Sequence, residues 1–290
     1  MRAWWSMRTR KQRVVTGIIG LILLACAVYI PLYYKYKNLK PARGNTSASS
    51  VVDTEAKAIS NLDGTEVSSS LANRHPLAVI VENHPDARPQ FGLFEASLVY
   101  EALTEGGITR YMAIYGPRDA AKIGPVRSAR TYYVDWLSEY DAFFAHAGGA
   151  QNALTKIVKD NIKDLLHNQS AYWRETGKVA LEHTLYTGTV KLYQYAENQG
   201  YNTKVSSFRP WIFSRELATA PQLVAGSKAT INFSSAEYQV IWSYNSASNS
   251  YDRSLAGVAH KDASTGSQLS AANILLLTMP RSSVESAGKA

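Results

Sequence analysis

From Leu77 onward the apolar residues come as short unbroken runs separated by stretches with helical spacing, which predicts an α/β arrangement with strands buried on both faces. Leu77 to Val81, Ser97 to Tyr100, Tyr111 to Tyr115 and Ala142 to Ala145 read as strands. Ser128 to Tyr140, Ala150 to Lys159 and Thr189 to Gln199 read as helices, and Gly200 suits the left-handed position that closes the last one. Residues 76–205 are long enough to bury one core, so they form the expected N-terminal α/β domain, with a mixed or mostly parallel sheet.

After Ser206 the helical spacing stops and Ser, Thr, Asn and aromatic residues dominate. Tyr238 to Tyr244 alternates, Asn245 to Asn249 supplies a turn, and Tyr251 to Leu255 completes a hairpin. Asn273 to Thr278 reads as a further strand. Residues 206–290 are therefore expected to be a smaller, mainly β C-terminal domain. No closing strand pattern follows Thr278, so the domain is expected to be incomplete and to expose a sheet edge.

Ahead of these domains, residues 35–75 are rich in Ser, Thr, Asn, Ala and Gly and read as a flexible linker, with Ile59 to Gly64 able to pack on the domain edge. Val14 to Tyr34 is a run of uncharged residues long enough to cross a bilayer core. Residues 1–13 form a basic segment on the cytoplasmic side. Charge sharpens this picture. The chain has 31 Lys and Arg against 23 Asp and Glu. Nine of the 31 are Arg2, Arg8, Arg10, Lys11, Arg13, Lys35, Lys37, Lys40 and Arg43, which leaves 22 against 23 from residue 44 on. The basic excess thus flanks the apolar run, and nothing in it points to nucleic acid. The same segment reads either as an uncleaved transmembrane signal anchor or as a lipoprotein signal, because Leu23-Leu24-Ala25-Cys26 looks like a lipobox whose cysteine is acylated. Cys26 is the sole cysteine, so the rest of the chain carries no disulfide and no nucleophilic thiol.

Polar residues concentrate at predicted strand ends. Gly124-Pro125-Val126-Arg127-Ser128-Ala129-Arg130 leads into a helix, where Ser128 reads as the N-cap and Arg127 and Arg130 offer guanidinium forks to an anion. His146-Ala147-Gly148-Gly149 follows a strand, and its Gly148 and Gly149 amides can approach a ligand. Arg88, Gln90, Glu101, Glu105, Arg110, Arg174, His183 and Tyr186 complete the set. His146, His183 and Glu105 are the acid/base candidates, and Arg88, Gln90, Arg110, Arg127, Ser128, Arg130, Gly148, Gly149, Arg174 and Tyr186 the ligand-binding ones. Structural ion pairs would explain the arginines equally. No P-loop, GxSxG elbow or paired metal-ligand spacing occurs, so the sequence assigns no metal and leaves the cofactor unknown.

These strings resemble the YerB-like family of bacterial membrane-attached lipoproteins. The resemblance runs through Pro76-Leu77-Ala78-Val79-Ile80-Val81-Glu82-Asn83, Ala87-Arg88-Pro89-Gln90, Glu105-Gly106-Gly107-Ile108-Thr109-Arg110, the arginine turn, His146-Ala147-Gly148-Gly149, Trp173-Arg174 and His183 with Leu185-Tyr186-Thr187. It continues through Tyr251-Asp252-Arg253, His260-Lys261-Asp262 and Asn273-Ile274-Leu275. It implies two domains, with further strands after the equivalent of Asn273. The order of elements is also similar to that of LytR-CpsA-Psr phosphotransferases, which handle polyprenyl-pyrophosphate-linked glycans; order alone is an analogy.

Two functions are carried forward. One is an extracytoplasmic protein at the cell membrane that binds, and in one version acts on, an anionic cell-envelope ligand such as a glycan phosphate or lipid pyrophosphate. The other is a non-catalytic module that docks onto cell-wall synthesis proteins or glycan. Partners on either reading are the membrane and an envelope glycan or lipid-linked precursor, with no nucleic acid. Protease added to intact protoplasts is expected to digest the chain beyond Lys40, and full protection would reverse the topology. Cys26→Ala is expected to abolish acyl labelling if the chain is a lipoprotein and to leave its size unchanged if it is a signal anchor.

Overall fold

The central strand is made of six consecutive buried residues, Leu77–Glu82, and its neighbours are recruited by what those residues must cover. A computed structural model of the chain describes residues 29–30, 56–177, 179–213, 227–280 and 282. By internal contacts Met1–Thr54 and Glu55–Ala290 are separate units, and only the second is described at length. Of the Val14 to Tyr34 run, Tyr29 and Ile30 are described, as helix; the rest of it, Cys26 included, lies outside the described residues. Among the described residues no helix is long and apolar enough to cross a membrane.

The chain enters through β1 (Lys57–Ile59) and β2 (Glu66–Ser68), an antiparallel pair followed by the single turn α1 (Ser69–Ala72). Residues 57–75 are thus folded where a linker was expected. The physical cause is burial: Leu62 enters the core, and Ser60 and His75 are enclosed with it.

The main sheet has five strands: β3 (Leu77–Glu82), β4 (Leu98–Leu103), β5 (Thr109–Tyr115), β6 (Phe143–His146) and β7 (Asp164–Leu166), in the spatial order β4-β5-β3-β6-β7. β5 runs antiparallel to both of its neighbours, β4 and β3, whereas β6 and β7 run parallel to β3, so the sheet is mixed. Alternation along β3 divides the core. Ala78 and Ile80 face α2 (Thr131–Leu137) and α3 (Gln151–Lys159), where Tyr133, Val134, Leu137, Ala153 and Ile157 are buried. Leu77, Val79 and Val81 face the opposite layer, which after the small pair β8 (Trp173–Arg174) and β9 (Leu185–Tyr186) includes Leu192, Tyr193 and Ala196 of α4 (Thr189–Asn198). Gly200 closes α4 with a φ of 83°.

α2 begins at Thr131 with Arg130 as its cap residue, and Ser128 is not the N-cap that its position suggested. β3 pairs with β6 only over Leu77 to Val79. Beyond Val79 the slot beside β3 is filled by the arginine turn, whose Arg127 N–H donates to Ile80 and whose Pro125 carbonyl accepts from Glu82. Ala129 donates to Gly148 on the far side. These extended pairings use the backbone groups that an earlier helix start would need.

The C-terminal sheet comprises β10 (Lys228–Asn232), β11 (Gln239–Asn245), β12 (Ser250–Leu255), β13 (Val258–Ala259) and β14 (Ser270–Ala271), all antiparallel. Among the described residues β10 is paired on one side only. Asn273 to Thr278 forms no strand, and Leu275, Leu276 and Leu277 are exposed. β12 offers this segment no place, since β11 takes one side and β13 and β14 share the other, and it does not pair with the open side of β10. The two sheets are one compact unit, because Leu269 enters the main core and a buried polar ring crosses between them.

Gly124 and Gly148 both have positive φ, at 139° and 68°, but in different surroundings. A β-carbon on Gly124 would stand 2.8 Å from the Val126 nitrogen and 2.9 Å from the Leu185 oxygen, while one on Gly148 meets nothing within 4 Å. Thermal or urea unfolding should therefore show Gly148→Ala costing only the left-handed strain of about 1–2 kcal/mol, and Gly124→Ala costing clearly more. Equal losses would show that the arginine turn is looser than its packing implies.

Candidate functional site

Where β3 leaves the apolar core it ends in Glu82 and Asn83, two buried polar residues around which the site is organised. Glu82 shares its carboxylate between two partners. Oε2 lies 2.8 Å from His183 Nδ1. Oε1 lies 3.0 Å from Arg127 Nε, an ion pair whose N–H is not aimed along the contact. Arg127 also reaches the Glu182 carbonyl at 3.4 Å and its carboxylate at 3.8 Å. The His84 ring stacks on that of His183 with centroids 4.9 Å apart.

Asn83 anchors a closed ring of hydrogen bonds. Its Nδ2 donates to Thr109 Oγ1 at 2.7 Å, and Thr109 donates to Glu101 Oε1 at 2.7 Å. Arg253 Nη2 donates to Glu101 Oε2 at 2.8 Å, and Arg253 Nε to His260 Nδ1 at 3.0 Å. His260 Nε2 meets Gln90 Oε1 at 2.8 Å, and Gln90 Nε2 returns to Asn83 Oδ1 at 2.9 Å. Each donor here has a defined acceptor, so the ring tolerates burial where one unpaired member would cost about 1–3 kcal/mol. Because His260 Nδ1 accepts from an arginine, its ring is neutral; burial first, then Arg253 and Arg88, push its pKa down to about 3.

Beside these groups three arginines converge. Arg130 grips Glu105 with two bonds of 2.6 Å. Arg110 lies 4.0 Å from the same carboxylate and donates to the Ser128 carbonyl at 2.9 Å. The Arg110 side chain is 10% exposed, and its Nε is buried without a hydrogen-bond partner. Burial, then the neighbouring Arg130, lowers its pKa to about 10, with Arg127 adding to the repulsion. Glu105 shows the converse: hydrogen bonding to Arg130 holds its carboxyl down at about 2.

The other predicted residues are distributed more widely. Ser128 serves Arg110 and Arg130, each of which lies 3.3 Å from its hydroxyl. Arg88 binds Asn83 through Nε and Nη2, both at 3.0 Å, and stands over the Tyr238 ring. Gln90 is fully buried and spent in the ring. His146 is fully buried between Asp164 at 3.0 Å and the Gly148 carbonyl at 2.7 Å, so neither ring nitrogen is left to act as a base. Gly149 packs against Ala129 and Leu154, whereas Gly148 is open. Exposed Arg174 holds the Leu181 carbonyl at 2.6 Å, and Tyr186 carries Lys122 over its ring at 4.1 Å. Sequence reasoning missed Glu82, Asn83, His84, Asp86 and the ring made with Arg253 and His260. The available signal was Glu82-Asn83, a polar pair ending an apolar strand.

Comparison with known proteins places this arrangement. Two family profiles match, "Protein of unknown function (DUF3048) N-terminal domain" over residues 62–202 and the corresponding C-terminal domain over residues 229–290. The "Putative lipoprotein YerB" of Bacillus subtilis (strain 168) is 32% identical over 242 residues, which is 82% of this chain and 72% of that protein. The chain belongs to the YerB-like family. A solved structure, the crystal structure of YerB protein from Bacillus subtilis, matches with a TM-score of 0.66 at 30% identity, over 74% of this chain and 72% of the other. The arginine site and the ring both lie within the matched family domains.

The ring makes a pH prediction for this YerB-like chain. In the unfolded chain His260 takes up its proton near pH 6.5, but in the folded chain only near 3. Between those values the unfolded state binds the extra proton, so stability is full above pH 6.5 and falls as the pH drops toward 3. Thermal melts across that window should show a shallower acid loss in His260→Gln, which keeps polar contacts but cannot titrate. An unchanged slope would mean that His260 is not enclosed as a neutral ring.

Proposed function

We propose that the chain is an extracytoplasmic, membrane-attached protein that binds an anionic cell-envelope ligand, a glycan phosphate or lipid pyrophosphate, at the arginine cluster of Arg110, Arg127 and Arg130. Attachment is by acylation at Cys26 or by the apolar run around it. The observation that carries the binding reading is Glu105. An exposed carboxylate lies across the Arg130 fork and beside the buried, incompletely partnered Arg110. It occupies the place of the anion: two oxygens spread over a guanidinium fork are the geometry that a phosphate also presents. Arg110 is repelled by its arginine neighbours, so an incoming dianion relieves more charge than one carboxylate does.

On this reading Glu105 is a resident counter-ion that the ligand displaces, and His146 is a structural residue rather than a base. Of the two histidines singled out in the sequence, His183 is the one that stands at the site, held by Glu82. The non-catalytic docking reading rests on aromatic residues alone: Trp242 and Tyr244 are half-buried, with Arg253 over the Trp242 ring, and Trp211 is exposed but donates to Glu139.

Inorganic pyrophosphate, titrated calorimetrically against the full chain in detergent, provides the test. Arg130→Gln is expected to weaken binding by about 1.5–3 kcal/mol, the worth of a charged hydrogen bond, with its melting temperature measured in parallel because the side chain also donates to the Ala129 carbonyl. Glu105→Gln is expected to strengthen binding, because the competing carboxylate is gone. Weaker binding in Glu105→Gln, or no response to Arg130→Gln, would sink the reading.

A further inference from the structure

One group of three metal-ligating side chains converges among the described residues: His84, Asp86 and His183 each place a ligand atom within 4.8 Å of the other two. Nothing in the sequence spacing announces it, because His183 comes from a segment about a hundred residues after the other two. His84, Pro85, Asp86 and Ala87 form a tight turn just after β3, with the His84 ring accepting the Asp86 backbone N–H at 3.3 Å. His183 is brought alongside by the short turn Leu181–His183.

We propose that His84, Asp86 and His183 form a binding site for a divalent transition-metal ion of the zinc class, with Glu82 as the residue that positions His183. The second observation is the state of His183. Its Nδ1 meets the buried Glu82 carboxylate at 2.8 Å, and a carboxylate only accepts, so Nδ1 carries a hydrogen and, in the neutral ring, Nε2 is the lone-pair donor. A histidine held by a buried carboxylate on one nitrogen and free on the other is the arrangement that metal-bound histidines adopt, because the carboxylate fixes the tautomer and raises the ligand's basicity. Arg127 steadies that carboxylate from its other oxygen.

Two imidazole nitrogens and one carboxylate oxygen suit zinc-class ions better than Mg²⁺ or Ca²⁺, which favour oxygen ligands. Three protein ligands also leave a coordination position open to water or to a ligand oxygen. Closing the site needs the His84 ring to turn out of its stack on His183 and to give up the Asp86 N–H. Tetrahedral ligands at zinc sit about 3.4 Å apart, and the two rings are now parallel to within 13°. His183 is fixed, so His84 and Asp86 move; their side chains are 33% and 69% exposed.

The test uses the full chain in detergent, stripped with chelator and free of phosphate, so failure here leaves the pyrophosphate reading standing. Zn²⁺ is titrated in competition with a chromophoric chelator, and Co²⁺ is added separately as a spectroscopic probe. The expected result is one tight equivalent of Zn²⁺ per chain and visible Co²⁺ absorption bands of a nitrogen and oxygen site. His84→Ala and Asp86→Ala should each weaken Zn²⁺ at least tenfold without changing the metal-free melting temperature. Glu82→Gln should weaken it about 10- to 100-fold; should that buried variant not fold, the two surface variants decide alone. No stoichiometric uptake by the unsubstituted chain, or full affinity in the His84→Ala, Asp86→Ala double variant, overturns the site.

Discussion

The ion pair between Arg253 and Glu101 sets the terms for the rest of the molecule. Both side chains are almost wholly withdrawn from water, at 6% and 10% exposure. A buried charge without its partner is strongly destabilising, so β12 must deliver Arg253 to β4 whenever the chain is folded. The remaining members of the ring satisfy what the ion pair leaves over. Thr109 and Asn83 cover the second Glu101 oxygen, and His260 and Gln90 complete the path back to β3. Two sheets with separate sequence character are thereby locked into one unit. The lock is polar, and so it depends on geometry more strictly than an apolar contact would.

The same end of β3 feeds the candidate site. Asn83 belongs to the ring, while the adjacent Glu82 turns to His183 and Arg127. One strand end therefore couples the rigid part of the structure to the exposed part. Arg127 is held on the turn that replaces β6 beside β3, and Arg110, the second residue of β5, lies directly opposite Glu82. The arginines converge because a five-stranded sheet brings its strand ends to one edge, where backbone pairing gives way to side chains. Open α/β sheets place ligands at such edges for the same reason.

Much of the fold was legible in the chain. The runs Leu77 to Val81, Tyr111 to Tyr115 and Ala142 to Ala145 are strands, and the helical spacing at Ala150 to Lys159 and Thr189 to Gln199 is helix nearly to the residue. Apolar runs and helical periods report burial directly, and burial decides those elements. The helix expected at Ser128 starts three residues later, because tertiary pairing claims the backbone of the arginine turn. The strand expected at Asn273 does not form: among the described residues β10 keeps an unpaired side, but the segment does not pair there, and where the chain delivers a segment is not a property of the segment itself. The folded stretch at residues 57–75 was hidden by its polar composition; a few buried residues, Ser60, Leu62 and His75, outweigh it.

Of the site, the sequence by itself determined which residue types were available, and it marked the arginine turn and the Gly148-Gly149 turn as unusual. It also determined membership of the YerB-like family, through ordered strings that local chemistry alone does not explain. Tertiary structure alone decided which of those residues meet. His146 looks like an acid/base residue in the sequence and Gln90 like a ligand residue, and both are consumed by internal hydrogen bonds. His84 and Asp86 look like parts of an ordinary turn and stand beside a histidine held by Glu82. A residue's chemistry is local, but its availability depends on which partners the fold brings within about 3 Å, the reach of a hydrogen bond. His183 lies 101 residues beyond Glu82 and His260 170 beyond Gln90, separations that no spacing rule reaches.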